Sequence, residues 1–116
     1  MEVFKRSYEL SLKIHRASLN FPKHEQYGFA DQLRRSSKSI CANLVEGYAK
    51  QVNSKREFAR YVATSLGSCN ETLLWVKYAQ DLEYLSKDVS QEWQNEYEQI
   101  ARMLNGLYKA ISNVSH

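Results

Sequence analysis

Large apolar residues in the last third of the chain recur at the spacing of an α-helix. They are Trp93, Tyr97, Ile100, Leu104, Leu107 and Ile111, separated by four, three, four, three and four positions. This spacing puts all of them on one helical face and is typical of the contact seam in coiled coils and four-helix bundles. Asp88 and Glu92 favour the positive end of such a helix, and Lys109 favours its negative end. The segment therefore predicts a long amphipathic helix that needs helical partners.

Three earlier segments supply those partners. We expect helices over residues 2–20, 29–49 and 55–84. Pro22 ends the first helix, and Ser54 with Glu57 forms a capping box at the start of the third. The connections over residues 23–28 and 85–90 are short, so neighbouring helices are expected to run antiparallel.

Composition supports an all-helical fold. The chain contains four glycines and one proline, too few for the many turns of a β-sandwich or barrel. A length of 116 residues is typical of one domain. The sequence thus predicts a single all-α domain over residues 1–116, folded as an antiparallel up-and-down four-helix bundle.

The sequence has no features of a membrane protein, a secreted protein, a metalloprotein or an enzyme. No apolar run approaches the roughly 20 residues that span a bilayer, and no signal-peptide pattern is present, so we expect a cytoplasmic protein without a membrane partner. Cys41 and Cys69 stand alone in helical segments and are expected to be free thiols in the core. The histidines, His15, His24 and His116, fit no catalytic or metal-binding spacing. We therefore expect no enzymatic activity, no metal and no cofactor.

Charge is distributed unevenly along the chain. Residues 1–60 hold twelve Lys or Arg against six Asp or Glu, whereas residues 61–116 hold four against seven. Phosphate-binding surfaces need such basic residues, but basic residues also line solvated surfaces or dock on an acidic neighbour, including a second copy of the chain. The candidates for nucleic-acid binding are Arg34, Lys38, Lys50, Lys55, Arg56 and Arg60.

A stripe of polar residues runs along the second predicted helix. Its members are Gln32, Arg35, Ser39, Asn43 and Glu46, at steps of three, four, four and three. Such a stripe is a solvated flank, a set of buried hydrogen bonds between helices, or a surface for a ligand or partner. We favour the structural interpretation, in which Asn43 and Glu46 tie the end of the helix to its neighbours.

Two predicted helices carry more apolar surface than one bundle can cover. The first helix has a second apolar stripe about 140° from the core-facing one, and the third has aromatic residues on its outer face. Surplus aromatic and apolar surface is typical of protein interfaces. We therefore expect a homo-oligomer whose interface includes Phe4, Tyr8, Leu12, Trp75 and Tyr78.

Specific motifs in the chain resemble a known family, the four-helix-bundle proteins encoded in 23S rRNA intervening sequences. The sequence differs from the usual pattern at Cys41, where Pro is common, and at Ser65, where Ala is common. The matching motifs are Gln32-Leu33-Arg34-Arg35-Ser36-Ser37, Ser39-Ile40, Asn43, Glu46-Gly47, Glu57-Phe58, Gly67-Ser68, Asn70-Glu71-Thr72 and Arg102-Met103-Leu104-Asn105-Gly106-Leu107.

This resemblance implies an up-and-down bundle and a ring-shaped homo-oligomer, for which five chains is the expected number. A related branch is similar to the accessory variability proteins of diversity-generating retroelements, which act with a reverse transcriptase and nucleic acid. The resemblance therefore implies RNA, DNA and a protein as candidate partners.

Two functional hypotheses remain open at this point. The first is a non-enzymatic oligomeric binding module that contacts RNA or DNA through a basic surface, beside a protein partner. The alternative is a structural scaffold without nucleic-acid binding, in which the basic half of one chain faces the acidic half of the next. Exposure of Arg34, Lys38, Lys55 and Arg56 in the assembled oligomer distinguishes the two hypotheses and favours the first.

Overall fold

Four α-helices make up almost the whole chain. A computed structural model describes the backbone of residues 1–114 and the side chains of residues 1–112. His116, one of the three histidines whose spacing fits no catalytic or metal site, lies outside the described residues. The helices are α1 (Glu2–Ser18), α2 (Phe29–Lys50), α3 (Lys55–Asp81) and α4 (Lys87–Val114), with a 3-10 turn at Lys23–Glu25 between α1 and α2.

Each helix packs against two others, so the bundle is closed. The packed pairs are α1 with α2, α2 with α3, α3 with α4, and α1 with α4. The short connections make consecutive helices antiparallel, as the sequence predicts. No strand occurs among the first 114 residues. The predicted all-α four-helix bundle is confirmed.

The core contains the apolar faces that the periodicity predicts. Five of the six members of the α4 seam are buried, and Leu107 is half-buried. They meet buried apolar residues from each of the other helices, which include Ile14, Leu33 and Val62. The periodicity in the sequence therefore identifies the side of each helix that faces the core.

Helices α2 and α3 approach each other closely because small residues line their contact. A Cβ atom built on Gly47 would lie only 2.7 Å from the Cβ of Tyr61 and 3.1 Å from Cδ1 of Phe58. Real Cβ atoms do not approach that closely. Glycine is therefore required at this position by the separation of the two helices.

Hydroxyl groups bridge the same two helices further along. The hydroxyls of Thr72 and Ser36 form a hydrogen bond of 2.9 Å, and the hydroxyls of Ser39 and Ser68 form another of 2.9 Å. The hydroxyl of Ser65 donates to the carbonyl of Ile40 at 2.8 Å. These bonds satisfy polar groups inside the α2–α3 contact, where an unpaired hydroxyl would be costly.

A salt bridge connects α1 to α4. Arg6 donates from Nε to the carboxylate of Glu96 at 2.9 Å and from a terminal nitrogen to Gln99 at 2.7 Å. The hydrogen bond from Arg6 lowers the pKa of Glu96, although partial burial opposes this effect. The pair therefore stabilises the fold most where Glu96 is ionised.

The connection between α3 and α4 differs from the prediction. Glu83 adopts a left-handed conformation with φ of 65°, and the backbone N–H of Tyr84 bonds back to the carbonyl of Ala79 at 2.8 Å. This is a Schellman motif, which ends a helix. The hydroxyl of Ser86 then accepts a bond from the N–H of Val89 at 3.2 Å and caps the next helix. As a result, α3 ends at Asp81 rather than near residue 84, and α4 begins before residue 90.

The first helix is also shorter than predicted. It ends at Ser18, and the backbone N–H groups of residues 19–21 bond to carbonyls three residues earlier. This tighter turn carries the chain into Pro22, so the helix stops two residues before the predicted end. None of the described helices is long and apolar enough to cross a lipid bilayer.

Candidate nucleic-acid interface

The six candidate cations form two groups rather than a single cluster. Lys50, Lys55, Arg56 and Arg60 lie around the α2–α3 connection, whereas Arg34 and Lys38 lie in the opposite half of α2. A helix rises 1.5 Å per residue, so Arg34 and Lys50 are separated by about 24 Å along α2. The two groups therefore have to be considered as separate sites.

Three members of the first group, Lys50, Lys55 and Arg56, form a surface that we call the basic end. All three side chains are exposed, and none forms an ion pair or side-chain hydrogen bond among residues 1–112, although the charges of Lys50 and Arg56 help to lower the pKa of the nearby Glu57. The helix break positions them, because α3 starts where the hydroxyl of Ser54 accepts a bond from the N–H of Glu57 at 3.1 Å. This confirms the Ser54 half of the predicted capping box, whereas the N–H of Ser54 donates to the carbonyl of Lys50 and not to the carboxylate of Glu57. The charges of the basic end are thus available to an external anion.

Arg60 lies next to the basic end but already has a partner. Its Nε donates to the carboxylate of Glu57 at 2.8 Å, and its guanidinium stacks over the ring of Tyr61 at 5.2 Å. The hydrogen bond from Arg60 lowers the pKa of Glu57, and the same bond raises the pKa of Arg60. Arg60 therefore adds less free positive charge to this surface than its sequence position suggests.

Arg34 has a different environment from the one that a nucleic-acid contact requires. It is half-buried, and it donates to the hydroxyl of Ser18 at 2.8 Å and to the side-chain and backbone oxygens of Gln26 at 3.2 and 2.7 Å. The amide of Gln26 in turn donates to the carbonyls of Ser18 and Phe21. Arg34 thus holds the α1–α2 connection in place, and we revise its predicted role accordingly.

The neighbouring Arg35 shows the opposite behaviour. Its side chain is 80% exposed and lies 3.8 Å from the carboxylate of Asp31. The sequence pattern predicts Arg35 in the structural stripe and Arg34 on the binding surface. In the structure, Arg34 is the engaged residue and Arg35 is the exposed one, because the chain after Pro22 folds back over Arg34 and not over Arg35.

Lys38 is exposed and contacts a histidine of α1. Its ammonium nitrogen lies 3.0 Å from Nδ1 of His15, which is half-buried. The charge of Lys38 is the main cause that lowers the pKa of His15, followed by burial and by the charges of Arg34 and Arg16. Sequence reasoning did not select His15, because its contact with Lys38 comes from a different helix.

The polar stripe of α2 divides into two parts. Ser39 contacts Ser68 of α3, and the amide of Asn43 donates to the backbone carbonyl of Ser39 at 2.8 Å. Gln32, Arg35 and Glu46 are exposed. Asn43 therefore bonds within its own helix, and Ser39 is the member that reaches a neighbouring one.

Glu46 is the clearest departure from the predicted stripe. Its carboxylate has no hydrogen bond or ion pair within the described part of the chain. The expected tie between Glu46 and a neighbouring helix is therefore absent from a single chain. Gln32 and Arg35, the other exposed members of the stripe, line an open groove between α2 and α3 together with Asp31, Ser68 and Glu71.

An apolar face extends across α1 and α2 near the N-terminus. The rings of Phe4 and Tyr8 stack with centroids 5.9 Å apart, and 49% of Tyr8 is exposed. Met1, Phe4, Val45 and Tyr48 line an open groove beside them. We call these five residues the α1–α2 apolar face. Leu12, also predicted for the interface, is half-buried.

Sequence reasoning missed the α2 half of this face. Val45 and Tyr48 are both exposed and lie three positions apart on α2, and the exposed Val52 follows beyond the end of the helix. Val45 and Tyr48 thus form a short apolar stripe with helical spacing. It was overlooked because it lies beside the polar stripe.

The aromatic residues of α3 are partly covered by the chain itself. The ring of Trp75 packs edge-to-face against Phe29 of α2 with centroids 6.0 Å apart, and its Nε1 donates to Glu71 at 2.9 Å. Trp75 is therefore half-buried rather than fully outward. Tyr78, which contacts the ring of Trp75, remains exposed.

The two thiols are buried and not paired with each other. Cys41 and Cys69 are both free, and the thiol of Cys69 lies 3.4 Å from the carbonyl of Tyr97. Burial raises the pKa of Cys69 to about 12, and burial also raises the pKa of Cys41. A thiol in that state is a poor nucleophile. Among the described residues, no group of His, Cys, Asp or Glu has a metal-binding arrangement.

The fold and its surfaces define a small up-and-down four-helix-bundle protein. The family model described as 23S rRNA-intervening sequence protein matches residues 1–106. The chain therefore belongs to the 23S rRNA-intervening sequence protein family.

A solved structure has the same fold. It is the crystal structure of a protein of unknown function from the S23 ribosomal protein family of Bacteroides thetaiotaomicron. The two sequences are 24% identical, and the alignment covers 92% of this chain and 98% of the other with a TM-score of 0.80. At that identity, the similarity establishes the fold alone. No curated protein matches the sequence at a significant level.

Proposed function

We propose that the protein is a non-enzymatic, oligomeric binding module that contacts the phosphates of RNA or DNA through its basic end. The observation that carries the proposal is the state of Lys50, Lys55 and Arg56, which are exposed and without a partner among residues 1–112. By contrast, Arg34 and Arg60 are engaged by other groups of the chain. Free cations grouped on one end of a helical bundle can neutralise several phosphates at once.

Assembly of several copies would strengthen such a weak contact. The α1–α2 apolar face supports self-association, because Tyr8, Val45 and Tyr48 expose apolar surface that a second copy can remove from water. Each copy then brings its own basic end to the same nucleic acid, and the effective concentration of the later contacts rises. The family resemblance favours a ring of five chains for this assembly, with a protein as a further partner. The same proposal places the protein in the cytoplasm, where free thiols stay reduced.

The decisive test compares two triple variants with the same change in charge. The first, Lys50→Ala/Lys55→Ala/Arg56→Ala, removes the basic end. The control, Lys23→Ala/Lys77→Ala/Lys87→Ala, removes three exposed lysines at the opposite end of the bundle. Both are titrated with labelled RNA and DNA at several salt concentrations, and circular dichroism checks their helical content.

We expect only the first variant to change the salt dependence of binding. On duplex DNA the log–log slope changes by about 0.9 for each phosphate that the protein no longer neutralises, and by less on single strands. Three phosphates per chain correspond to a change of about 2.7 on duplex DNA. Equal slopes for the two variants, or no wild-type binding at about 50 mM salt, would refute the basic end as the contact surface.

The assembly is tested separately by light scattering. We expect a mass that is a multiple of 13.5 kDa for the wild type at micromolar concentration and a smaller one for Tyr8→Glu. The control is Tyr27→Glu, since Tyr27 is 99% exposed in the α1–α2 connection and outside the apolar face. A wild-type monomer throughout that range would contradict self-association.

A scaffold without nucleic-acid binding is the second candidate function. The observation that favours it is the exposed groove between α2 and α3, in which Asp31, Arg35 and Glu71 provide both signs of charge. Mixed charges of this kind suit a polar protein contact better than a phosphate backbone. Loss of assembly in the basic-end variant, without any wild-type binding of nucleic acid, would support the scaffold.

A further inference from the structure

A second set of basic groups lies between α1 and α2, away from the basic end. His15 and Arg16 come from α1, and Arg34 and Lys38 come from α2; we call these four residues the His15 cluster. The ammonium of Lys38 lies 3.0 Å from Nδ1 of His15. Since an ammonium group can only donate, Nδ1 accepts this bond and the imidazole is neutral, with its proton on Nε2.

Within the cluster, Arg34 is held by several bonds, Lys38 contacts only the imidazole of His15, and Arg16 forms no hydrogen bond or ion pair among the described residues. Arg34 is held by its bonds to Ser18 and Gln26, so its charge stays at a constant position. Arg16 and Lys38 are exposed and can turn towards a ligand. The result is one rigid and two adjustable positive charges around a half-buried imidazole.

The cluster has no counter-ion among the described residues. Every charged group that shifts the pKa of His15 is a cation, with Lys38 first and then Arg34 and Arg16. None of these three cations forms an ion pair within the described chain. A group of like charges without a counter-ion is unfavourable, and an anion bound among them removes that repulsion.

The acidic groups of the surrounding elements are engaged elsewhere. From α4, Glu92 and Glu96 line a groove with Lys13 and Arg6 on the other side of α1. The carboxylate of Glu25, in the α1–α2 connection, accepts a bond from the hydroxyl of Tyr84. On α2, Asp31 lies beside Arg35. The positive charge of the His15 cluster therefore remains available.

We propose that the His15 cluster is a binding site for a phosphate group, at which protonation of His15 adds a further positive charge when the ligand is present. Lys38 and Arg16 supply charge that adapts to the ligand, whereas Arg34, whose guanidinium is engaged by Ser18 and Gln26, adds only the field of its fixed charge. His15 contributes a donor from Nε2 at neutral pH and two donors once it is protonated. The site is independent of the basic end, since Lys38 and Lys50 are separated by about 18 Å along α2.

Binding at this site has to depend on pH in a defined direction. Without ligand, the neighbouring cations hold the pKa of His15 below its ordinary value of 6.5. A bound dianion raises that pKa, so binding takes up a proton. The affinity therefore increases as pH falls, by up to about tenfold per pH unit between the free and bound pKa values.

The first experiment uses sulfate, because sulfate stays a dianion over the whole range in which His15 titrates. The imidazole signals are followed by NMR between about pH 8 and pH 5 with and without sulfate. We expect sulfate to move the His15 signal and raise its pKa, and to leave His24 unaffected. His15→Gln should keep the weak binding at high pH but lose the pH dependence, whereas His24→Gln should retain it.

A variant of Lys38 separates ligand binding from a structural role. Lys38→Met should raise the pKa of His15 in the absence of sulfate, because the main cation acting on it is removed, and should weaken sulfate binding. Unchanged His15 titration in this variant, or no response of wild-type His15 to sulfate, would overturn the proposal.

Two further probes distinguish the sources of the phosphate. Inorganic phosphate represents free phosphate and phosphomonoesters, and a short oligothymidylate without terminal phosphates represents the backbone diesters of nucleic acid. A response of His15 to both probes identifies a site that accepts backbone phosphates. A response to inorganic phosphate alone identifies a site for free phosphate or a monoester. Binding of nucleic acid at the basic end can fail without affecting either result.

Discussion

Replacing Gly47 by alanine tests the close approach of α2 and α3. The new Cβ would lie 2.7 Å from the Cβ of Tyr61 and 3.4 Å from the backbone carbonyl of Phe58. Carbon atoms in good contact are about 3.5–4.0 Å apart. Because the Cβ of Tyr61 is attached to the backbone and cannot rotate away, the two helices have to separate by about 1 Å.

Two opposing effects decide the size of the change. Alanine favours a helix over glycine by about 1 kcal/mol. Overpacking a well-packed contact costs typically about 1–3 kcal/mol, and separation of the helices also stretches the hydroxyl bond between Ser39 and Ser68. We therefore expect Gly47→Ala to lower the free energy of unfolding by about 1–2 kcal/mol. For a chain of this length, that corresponds to a Tm about 4–8 °C lower.

Two other glycines in helices provide the control. Gly67 in α3 and Gly106 in α4 are exposed, and no described atom lies within 4 Å of a Cβ added to either. Alanine at these positions should raise the free energy of unfolding by about 0.5–1 kcal/mol. Urea unfolding at one fixed protein concentration measures all three variants. If Gly47→Ala is as stable as the controls, the argument from close helix packing is refuted.

Further predictions concern buried and exposed polar groups. Tyr97→Phe should raise the free energy of unfolding by about 1 kcal/mol, because the buried hydroxyl of Tyr97 has no partner among the described residues. Tyr84→Phe, which breaks a bond to the carboxylate of Glu25, should lower the free energy of unfolding in the same urea assay. Arg34→Ala should lower the free energy of unfolding by about 2 kcal/mol in urea unfolding. Glu46→Ala should change it by less than about 0.5 kcal/mol, in contrast to the large effect that the polar stripe predicts. Equal losses of stability in the two variants would contradict a structural role for Arg34 and a solvent-exposed one for Glu46. The arginine partner on α1 lowers the pKa of Glu96 from its ordinary value of 4.5. The stabilisation from this pair is therefore complete above pH 4.5 and is lost as pH falls through the pKa of the folded state. Glu96→Gln should reduce the decrease of Tm at acid pH in thermal melts, and an unchanged decrease would exclude the pair as its cause.

The regular parts of the fold could be predicted from sequence because they depend on local rules. The spacing from Trp93 to Ile111 identified a face that the structure buries, apart from half-buried Leu107. The cap at Ser54 could be predicted because it depends on a backbone N–H only three residues away. The end of α3 was missed because Glu83 takes a left-handed conformation that glycine usually adopts.

The candidate site was harder to predict because its environments come from other helices. Arg34 and Arg35 are adjacent, and only the return of the chain through Gln26 distinguishes them. Phe29 covers part of Trp75 from α2, which the pattern within α3 could not indicate. Contacts between distant segments decide which cation is free and which is engaged, and periodicity along one helix carries no information about them.

The hydroxyl bonds between α2 and α3 have a consequence for the rigidity of the basic end. Two helices joined only by leucines can slide past each other at little cost, since one apolar contact replaces another. Here, sliding by one turn would break the bond between Thr72 and Ser36 and the bond from Ser65 to Ile40. Ser36 and Thr72 keep bonds to carbonyls of their own helices, whereas the buried hydroxyl of Ser65 would lose its partner at a cost of about 1–3 kcal/mol. The register of the two helices is therefore locked from inside the bundle. Lys50 and Lys55, at the two helix ends that meet there, keep a constant separation and present a pre-shaped surface to any partner.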